Sequence, residues 1–240
     1  MPENKLSMKE LPEVKDYGSD SNERLEDWSQ IFLWRQKFRA SMGRIDKLPI
    51  TVSAAKWIVD EVEKSGSEKL SILDFGAGPR LLLEKLKSVK DKIHYESYDI
   101  DRRTQQDYYD IKDIKKTFDI VVCLEVIEHL DTRGKIDLVR EMTSLTKPGG
   151  KVMLTTPNAE HPTVFWRDFS HVAPIHHLDL AGLMARFGLQ DIEIHRLAKL
   201  TLKKRIQLLF YAPLLKFLHC DFAQSIMAVG TRPKKEENNA

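Results

Sequence analysis

The sequence predicts an α/β protein in which a mostly parallel sheet carries helices on both faces. From about residue 70 onward, short apolar runs alternate with segments of helical period. The first run ends in a glycine turn, Gly76-Ala77-Gly78, and a later run, "FDIVVCLE", is rich in β-branched residues. Strand, turn and helix repeated in this order are typical of doubly wound sheets.

Composition and charge narrow the possible classes of protein. The chain has 240 residues, a net charge of +2 and two cysteines, Cys123 and Cys220. A charge this small does not favour nucleic acid or a membrane by itself, and two cysteines suggest no disulfide framework. The first residues contain no apolar core of a secretory signal, so a cytoplasmic location is expected.

Four segments are predicted along the chain. Residues 1–20 are polar and aperiodic, and we expect a disordered tail there. Residues 21–66 predict a helical cap with one helix ending near Gly43 and a second capped by Thr51. Residues 67–233 form the main domain, and residues 234–240 are a second polar tail.

Within the main domain the elements alternate. Helices are predicted at "PRLLLEKLKSV", with Gly78 as its cap and Pro79 in its first position, at "TRGKIDLVREMTSLT" and at 178–187. Strands are predicted at "LSILDF", "IHYESYDI", "FDIVVCLE", "GGKVMLTTP", Asp191–His195 and "SIMAVGT", with a further short strand near "DYYDI".

Residues 198–220 are predicted to be an insertion before the last strand. The segment is both apolar and basic, and Pro213 is expected to interrupt any single helix. One interpretation is an extra helical pair packed on the domain. The other is a surface, residues 199–219, that contacts an amphiphilic substrate or the membrane face.

The glycine turn predicts a ligand site. In open parallel sheets, ligands bind beyond the carboxyl ends of the strands, and helix amides there favour anionic groups. The spacing lacks the third glycine of a dinucleotide fingerprint, since Leu81 stands at that position. Asp99 ends the next strand, where an acidic residue commonly holds ribose hydroxyls.

In combination, several stretches resemble the class I S-adenosylmethionine-dependent methyltransferases. They are "ILDFGAGPR", "YDID", "FDIVVCLEVIEHL", "KPGGKVMLTTPN" and "WRDFSHVAPIHHLDLAGLMARFGL", within residues 51–231. The resemblance is greatest to quinone-pathway and glycan O-methyltransferases. It implies a seven-stranded Rossmann-like sheet and S-adenosylmethionine as the cofactor.

The resemblance also implies roles for individual residues. Asp74, Gly76 and Gly78 would line the methionine end of the cofactor, and Asp99 would hold the ribose. The remaining cofactor positions would be Asp110 and Ile111 at the adenine, and Leu124 and Glu125 beside the sulfonium.

Arg80 departs from the family pattern, which usually has a third glycine there. The side chain is expected to crowd the methionine moiety, to turn away from it, or to pair with its carboxylate. Retained binding is favoured because the other cofactor positions are intact. A non-catalytic binding module remains an alternative.

An acid–histidine cluster follows the fourth main strand. Glu125, Glu128 and His129 would share one helical face, and His171 lies on a later loop. One hypothesis makes His129 or His171 the general base on a hydroxyl, with Glu128 beside it. The other makes Glu125, Glu128, His129 and His171 the ligands of a divalent metal, as in some similar methyltransferases.

These observations predict an O-methyltransferase acting on a hydroxyl of a glycan or lipid-linked saccharide. A small phenol or quinone precursor is the alternative acceptor. Nucleic acid is disfavoured because no basic stripe with interleaved aromatic residues is present. Peripheral contact with a membrane through residues 199–219 is expected to accompany a lipid-linked acceptor.

Overall fold

A computed structural model describes residues 22–66 and 69–234, with side chains of the first helix described from residue 29. The predicted tail 1–20 and residues 235–240 lie outside these ranges. The helices are α1 (Asn22–Met42), α2 (Ala54–Lys64), α3 (Leu81–Lys85), α4 (Thr132–Ser144), α5 (His177–Arg186) and α6 (Leu202–Phe217). The strands are β1 (Ile50–Thr51), β2 (Leu70–Phe75), β3 (Ile93–Tyr98), β4 (Phe118–Leu124), β5 (Thr146–Pro157), β6 (Gln190–Leu197) and β7 (Ser225–Thr231).

The strands form one seven-stranded sheet in the order β1-β6-β7-β5-β4-β2-β3. Strand β7 runs antiparallel to both of its neighbours, and the remaining pairs are parallel. This arrangement confirms the predicted doubly wound, mostly parallel sheet. The carboxyl ends of β2, β3, β4 and β5 therefore meet at one edge, which we call the site edge.

Apolar side chains cover the sheet on both faces. One core packs α1, α4 and α5 against the sheet, with Trp34, Met142 and Leu180 among its buried residues. The other packs α2 and α3, with Ile58 and Leu82. Cys123 is fully buried in the first core, as expected for an apolar strand residue.

The start of α2 differs from the prediction. Thr51 lies in β1, and Ser53 is the cap, because its side-chain oxygen accepts a hydrogen bond of 3.2 Å from the Lys56 amide. Two serine or threonine residues stood near this helix start, and only the backbone path decides which hydroxyl reaches the free amides.

The segment after the glycine turn also differs. Helix α3 begins at Leu81 rather than Pro79, because Arg80 is left-handed with φ of 58°, and Gly78 is not its cap. After one turn the chain continues as a 3₁₀ helix over Lys87–Lys92. The expected strand near "DYYDI" is only a single bridge between Tyr98 and Tyr108.

The insertion is one helix, not an interrupted pair. Helix α6 runs through Pro213. Proline removes the amide that would bond to the Leu209 carbonyl, but both residues are exposed, so water can take that bond. Among the described residues, no helix is long and apolar enough to cross a bilayer.

Candidate functional site

The glycine turn leaves β2 at the site edge. Gly76 has φ of 77°, and its amide and that of Ala77 donate to the Tyr98 carbonyl at 2.8 and 3.1 Å. A Cβ on Gly76 would lie 2.7 Å from a methyl carbon of Val126, whereas a Cβ on Gly78 would meet nothing within 4 Å. The turn is therefore closed against the protein at Gly76 and open to a ligand at Gly78.

Asp99 joins the turn to the end of β3. Its Oδ2 accepts a hydrogen bond of 2.8 Å from the Gly78 amide, and its Oδ1 accepts one of 2.8 Å from the Asp101 amide. Each carboxylate oxygen has a further lone pair, so both can still accept from hydroxyl groups. The geometry leaves Asp99 competent to hold a sugar diol beside Gly78.

Arg80 is turned toward β3. Its guanidinium donates to Asp107 Oδ2 at 3.2 Å and lies 5.5 Å from the centre of the Tyr95 ring. The left-handed backbone is one that glycine adopts more readily than arginine. The three predicted placements were defined relative to the cofactor and named no partner in the protein, whereas the described side chain is paired with Asp107.

Asp74 is buried beneath the turn. Burial raises the pKa of its carboxyl to about 6, although the Tyr95 hydroxyl, which donates to Oδ2 at 2.5 Å, and the nearby Arg80 charge oppose the rise. Burial and the adjacent Asp74 carboxylate raise the pKa of Tyr95 well above its usual range. Asp74 therefore belongs to a buried hydrogen-bond network and does not line an open acidic surface.

The other predicted cofactor residues border the same edge. Asp110 is exposed, and its side chain accepts a bond of 2.9 Å from the Lys112 amide at the start of a 3₁₀ turn that includes Ile111. Leu124 is half-buried at the end of β4. These positions are compatible with a nucleoside lying along the carboxyl ends of β3 and β4.

The shared helical face predicted for the acids after β4 does not form. Glu125 is left-handed with φ of 54° and exposed, and only Ile127–His129 make a 3₁₀ turn. Glu128 points inward and is 1% exposed, whereas His129 is exposed. Because three residues complete a 3₁₀ turn, adjacent Glu128 and His129 diverge.

Glu128 is a buried acid with an unpartnered oxygen. Burial and the neighbouring Glu125 carboxylate raise the pKa of Glu128 to about 8. Its Oε2 atom is buried and has no hydrogen-bond partner. A protonated carboxyl at neutral pH can donate a hydrogen bond, and an ionised one would attract a cation.

In both predicted histidines, Nδ1 is the ring nitrogen with a hydrogen-bond partner. Nδ1 of His171 donates to the Phe165 carbonyl at 2.7 Å, which leaves Nε2 with its lone pair. Nδ1 of His129 lies 3.1 Å from the Ser170 hydroxyl and 3.3 Å from its carbonyl. The Ser170 hydroxyl donates to Asp168 at 2.6 Å, so it accepts from His129, whose Nε2 is also left open.

These residues form one cluster. The two imidazole rings are 4.9 Å apart, and ligand atoms of Glu128, His129 and His171 lie within 4.8 Å of one another. Glu125, the fourth residue of the predicted metal set, is not among them. The arrangement can accept a proton through an imidazole or hold a divalent ion through three ligands.

A second acid–histidine group consists of Glu160, His176 and His177. His176 Nδ1 accepts from the Leu178 amide, so its Nε2 donates to Glu160 at 3.1 Å, while His177 donates to the Met42 carbonyl at 2.8 Å. Burial raises the pKa of Glu160, but the two histidines outweigh it and lower the pKa to about 2. With both His176 nitrogens engaged, this group ties α1 to the start of α5.

The fold and this edge define a class. A doubly wound seven-stranded sheet with an antiparallel seventh strand, a glycine turn after β2 and an acid after β3 is the architecture of class I methyltransferases. Residues 44–194 match the profile of a family described as a methyltransferase domain. The chain therefore belongs to this family of S-adenosylmethionine-dependent methyltransferases.

Solved structures share the fold at low sequence identity. A SAM-dependent methyltransferase from Archaeoglobus fulgidus is 19% identical with a TM-score of 0.54, over 83% of this chain and 98% of that one. An O-methyltransferase family protein from Burkholderia thailandensis is 14% identical (0.53; 84% and 60%), and the carbon methyltransferase CurJ is 12% identical (0.51; 75% and 53%). No curated protein matches the chain. These similarities show the fold and leave the acceptor atom open.

The residues present fit the cofactor of the class. The open space at Gly78 admits a ligand against the backbone, and Asp99 keeps lone pairs directed at the same place. Arg80 is held by Asp107. Apart from the two chain neighbours of Gly78, no described atom lies within 4 Å of the position that a Cβ on this residue would take.

Some site residues were not anticipated from the sequence. Tyr95 and Asp107 bind Asp74 and Arg80, and Lys135, whose pKa burial lowers, lies near enough to Glu128 for that acid's charge to act on it. A signal for Tyr95 existed. Tyr95 pairs with Ile72 on the neighbouring strand, and Ile72 lies two residues before Asp74. Because side chains alternate along a strand, Tyr95 and Asp74 share one face of the sheet.

Proposed function

We propose that the protein is an O-methyltransferase whose acceptor is a hydroxyl of a glycan or lipid-linked saccharide. The observation that carries the proposal is the orientation of His171, whose Nδ1 is fixed on the Phe165 carbonyl so that Nε2 is free to take a proton. A base of this kind serves a hydroxyl acceptor, which has to lose a proton on methylation.

The cofactor would lie across the glycine turn. Asp99 would accept from the ribose hydroxyls, with Gly78 below the amino-acid end and Asp110 and Ile111 near the adenine. When bound, S-adenosylmethionine supplies a methyl group on a sulfonium, which is a good leaving group. Much of the rate would then come from holding the acceptor oxygen in line with that methyl.

The chain's own residues manage the proton. When the acceptor hydroxyl is methylated, its proton would pass to Nε2 of His171. His129 lies alongside and is held by Ser170 and Asp168. The protonated carboxyl of Glu128 can donate to a polar group of the acceptor.

The segment between β5 and α5 supports a sugar acceptor. Trp166 and Phe169 are largely exposed beside His171, and Trp166 packs edge-on against the buried Phe165. Exposed aromatic rings combine apolar surface with a wet surrounding, which suits the mixed faces of a sugar. The exposed helix α6 supports the lipid-linked form.

The direct test is a turnover screen with S-adenosylhomocysteine as the readout. Free sugars, lipid-linked saccharides and small phenols are offered at equal concentration with S-adenosylmethionine. The proposal expects turnover with a saccharide and its loss in His171→Ala. Turnover confined to phenols would replace it with the quinone-precursor alternative, and the absence of turnover with every one of these hydroxyl acceptors would overturn O-methylation.

A metal-assisted form of the same reaction has one specific observation in its favour. Three ligand atoms from Glu128, His129 and His171 lie within 4.8 Å, and Oε2 of Glu128 is unpartnered. A divalent ion there would lower the pKa of a bound hydroxyl. Activity abolished by a chelator and restored by Mg²⁺, Mn²⁺ or Zn²⁺ would favour this form, and chelator-resistant activity would favour the histidine base.

A further inference from the structure

Helix α6 is packed unlike the other long helices. None of its residues is buried, although most of them are apolar. Leu209 is 77% exposed, Phe210 76% and Phe217 80%. An exposed apolar surface of this extent on a folded domain marks an interaction site.

Five of the exposed apolar residues of α6 form a stripe, whereas Tyr211 and Leu214, which are also exposed, lie outside it. Leu202, Ile206, Leu209 and Phe217 follow one another at spacings of four, three and eight, which place them on one side of a helix. Phe210 lies beside Ile206 on the same side. We call these five residues the α6 stripe.

The charges around the stripe have one sign. No acidic residue occurs between Glu193 and Asp221. Exposed basic residues lie on both sides of the stripe, with Lys203 on one side and Arg205 and Lys216 on the other, and Lys199 precedes the helix. A helix with an apolar side and basic flanks has the pattern of helices that lie in the plane of an anionic bilayer.

The strand register places α6 at the site edge. Leu197 at the end of β6 pairs with Ser225, and Ser225 pairs with Pro157 at the end of β5. Helix α6 therefore leaves and re-enters the sheet at the edge where Asp99 and His171 lie. The Asp221 amide also donates to the Glu160 carbonyl at 3.0 Å, on the segment that leads to His171.

We infer that the α6 stripe and its basic flanks dock the protein on an anionic lipid bilayer, with the site edge facing the lipid headgroups. The inference goes beyond the proposed acceptor, because lipid binding by α6 requires no methyl transfer. A second copy of the chain fits this surface less well, since two such helices face to face would bring their cations together. Anionic headgroups neutralise the same cations.

The test is flotation of the full chain with two kinds of vesicle. One kind contains phosphatidylcholine alone, and in the other about one lipid in three is the anionic phosphatidylglycerol. The wild type is expected to float with the anionic vesicles and to be released by high salt. Lys203→Gln/Arg205→Gln should lower the partition coefficient about 25-fold, because each basic residue near the surface contributes about fivefold. Phe210→Ser/Phe217→Ser should lower it at least tenfold.

The matched control is Lys90→Gln/Lys92→Gln. Both lysines are exposed, and they immediately precede β3, at the edge opposite the site. This variant should float like the wild type. The α6 variants change exposed side chains, so their melting temperatures should stay near that of the wild type.

Two results would overturn the inference. One is a wild type that stays with the soluble fraction at low salt. The other is a dimer in sedimentation equilibrium that Phe210→Ser/Phe217→Ser dissociates, with no vesicle binding. Either result would leave cofactor binding and turnover, measured in the absence of lipid, unaffected.

Discussion

The two halves of the site edge are built in different ways. Around Gly78 and Asp99, the Asp99 carboxylate accepts hydrogen bonds from backbone amides, and all of these groups lie within a few residues of a strand end. Around Glu128 and His171 the groups come from a 3₁₀ turn and a long irregular segment, and side-chain placement decides the chemistry. In the proposed function, the first half holds the cofactor, and the second half positions the acceptor and takes its proton.

The largest effect is expected in the second half, from His171→Ala. Removal of a general base should lower kcat about 10²- to 10⁴-fold, with a much smaller change in the affinity for S-adenosylmethionine. Steady-state assays measure kcat, and calorimetric titration measures the affinity.

The control for that variant is His94→Ala, which removes an exposed histidine of β3. Its kcat should equal that of the wild type. A His171→Ala enzyme with a normal kcat would remove His171 from the proton path and move the role to His129.

A smaller effect is expected in the first half, from Asp74→Asn. The folded protein keeps a proton on Asp74 up to about pH 6, whereas the unfolded chain releases it near the ordinary aspartate value of 3.8. The free energy of unfolding should therefore fall as pH rises from about 4 to 6, by about 2 kcal/mol in total. The asparagine variant cannot titrate and should lack this fall.

Denaturant melts of both proteins at pH 4.5, 5.5 and 7 test the Asp74 prediction. The stability of the wild type relative to Asp74→Asn should decrease with pH across this series. Parallel curves would show that the Asp74 carboxyl is already ionised in the folded protein and that the Tyr95 and Arg80 contacts outweigh its burial.

The smallest effect concerns Arg80, where glycine and alanine variants can be compared. Both lose the ion pair with Asp107, but only alanine keeps a Cβ in the left-handed region. Arg80→Gly should therefore be more stable than Arg80→Ala by about 1 kcal/mol. Urea unfolding measures the difference, and equal stabilities would mean that the loop relaxes to another backbone conformation.

The two halves also differ in how far the sequence predicts them. The strands around Gly76 and Asp99 follow from apolar runs and turn residues, and the structure has both residues at the predicted strand ends. The direction of Arg80 did not follow, because its partner Asp107 is 27 residues away. An ion pair between residues so far apart in the sequence produces no local sequence pattern from which it could be predicted.

The second half was predicted by residue type but not by geometry. Glu128, His129 and His171 bring ligand atoms within 4.8 Å of one another, whereas Glu125, which has a left-handed backbone, neighbours Glu128 without joining that set. Helix α6 shows the same limit. Pro213 predicts a break, but exposure of the Leu209 carbonyl removes most of the cost of the missing bond.

The most direct test of the account is a calorimetric titration of the protein with S-adenosylmethionine. The account predicts a dissociation constant in the micromolar range for the wild type, a value about 10- to 100-fold weaker for Asp99→Ala, because hydrogen bonds to a charged group are lost, and an unchanged value for the exposed control Asp91→Ala. The absence of binding at millimolar cofactor would contradict it and favour a non-catalytic binding module.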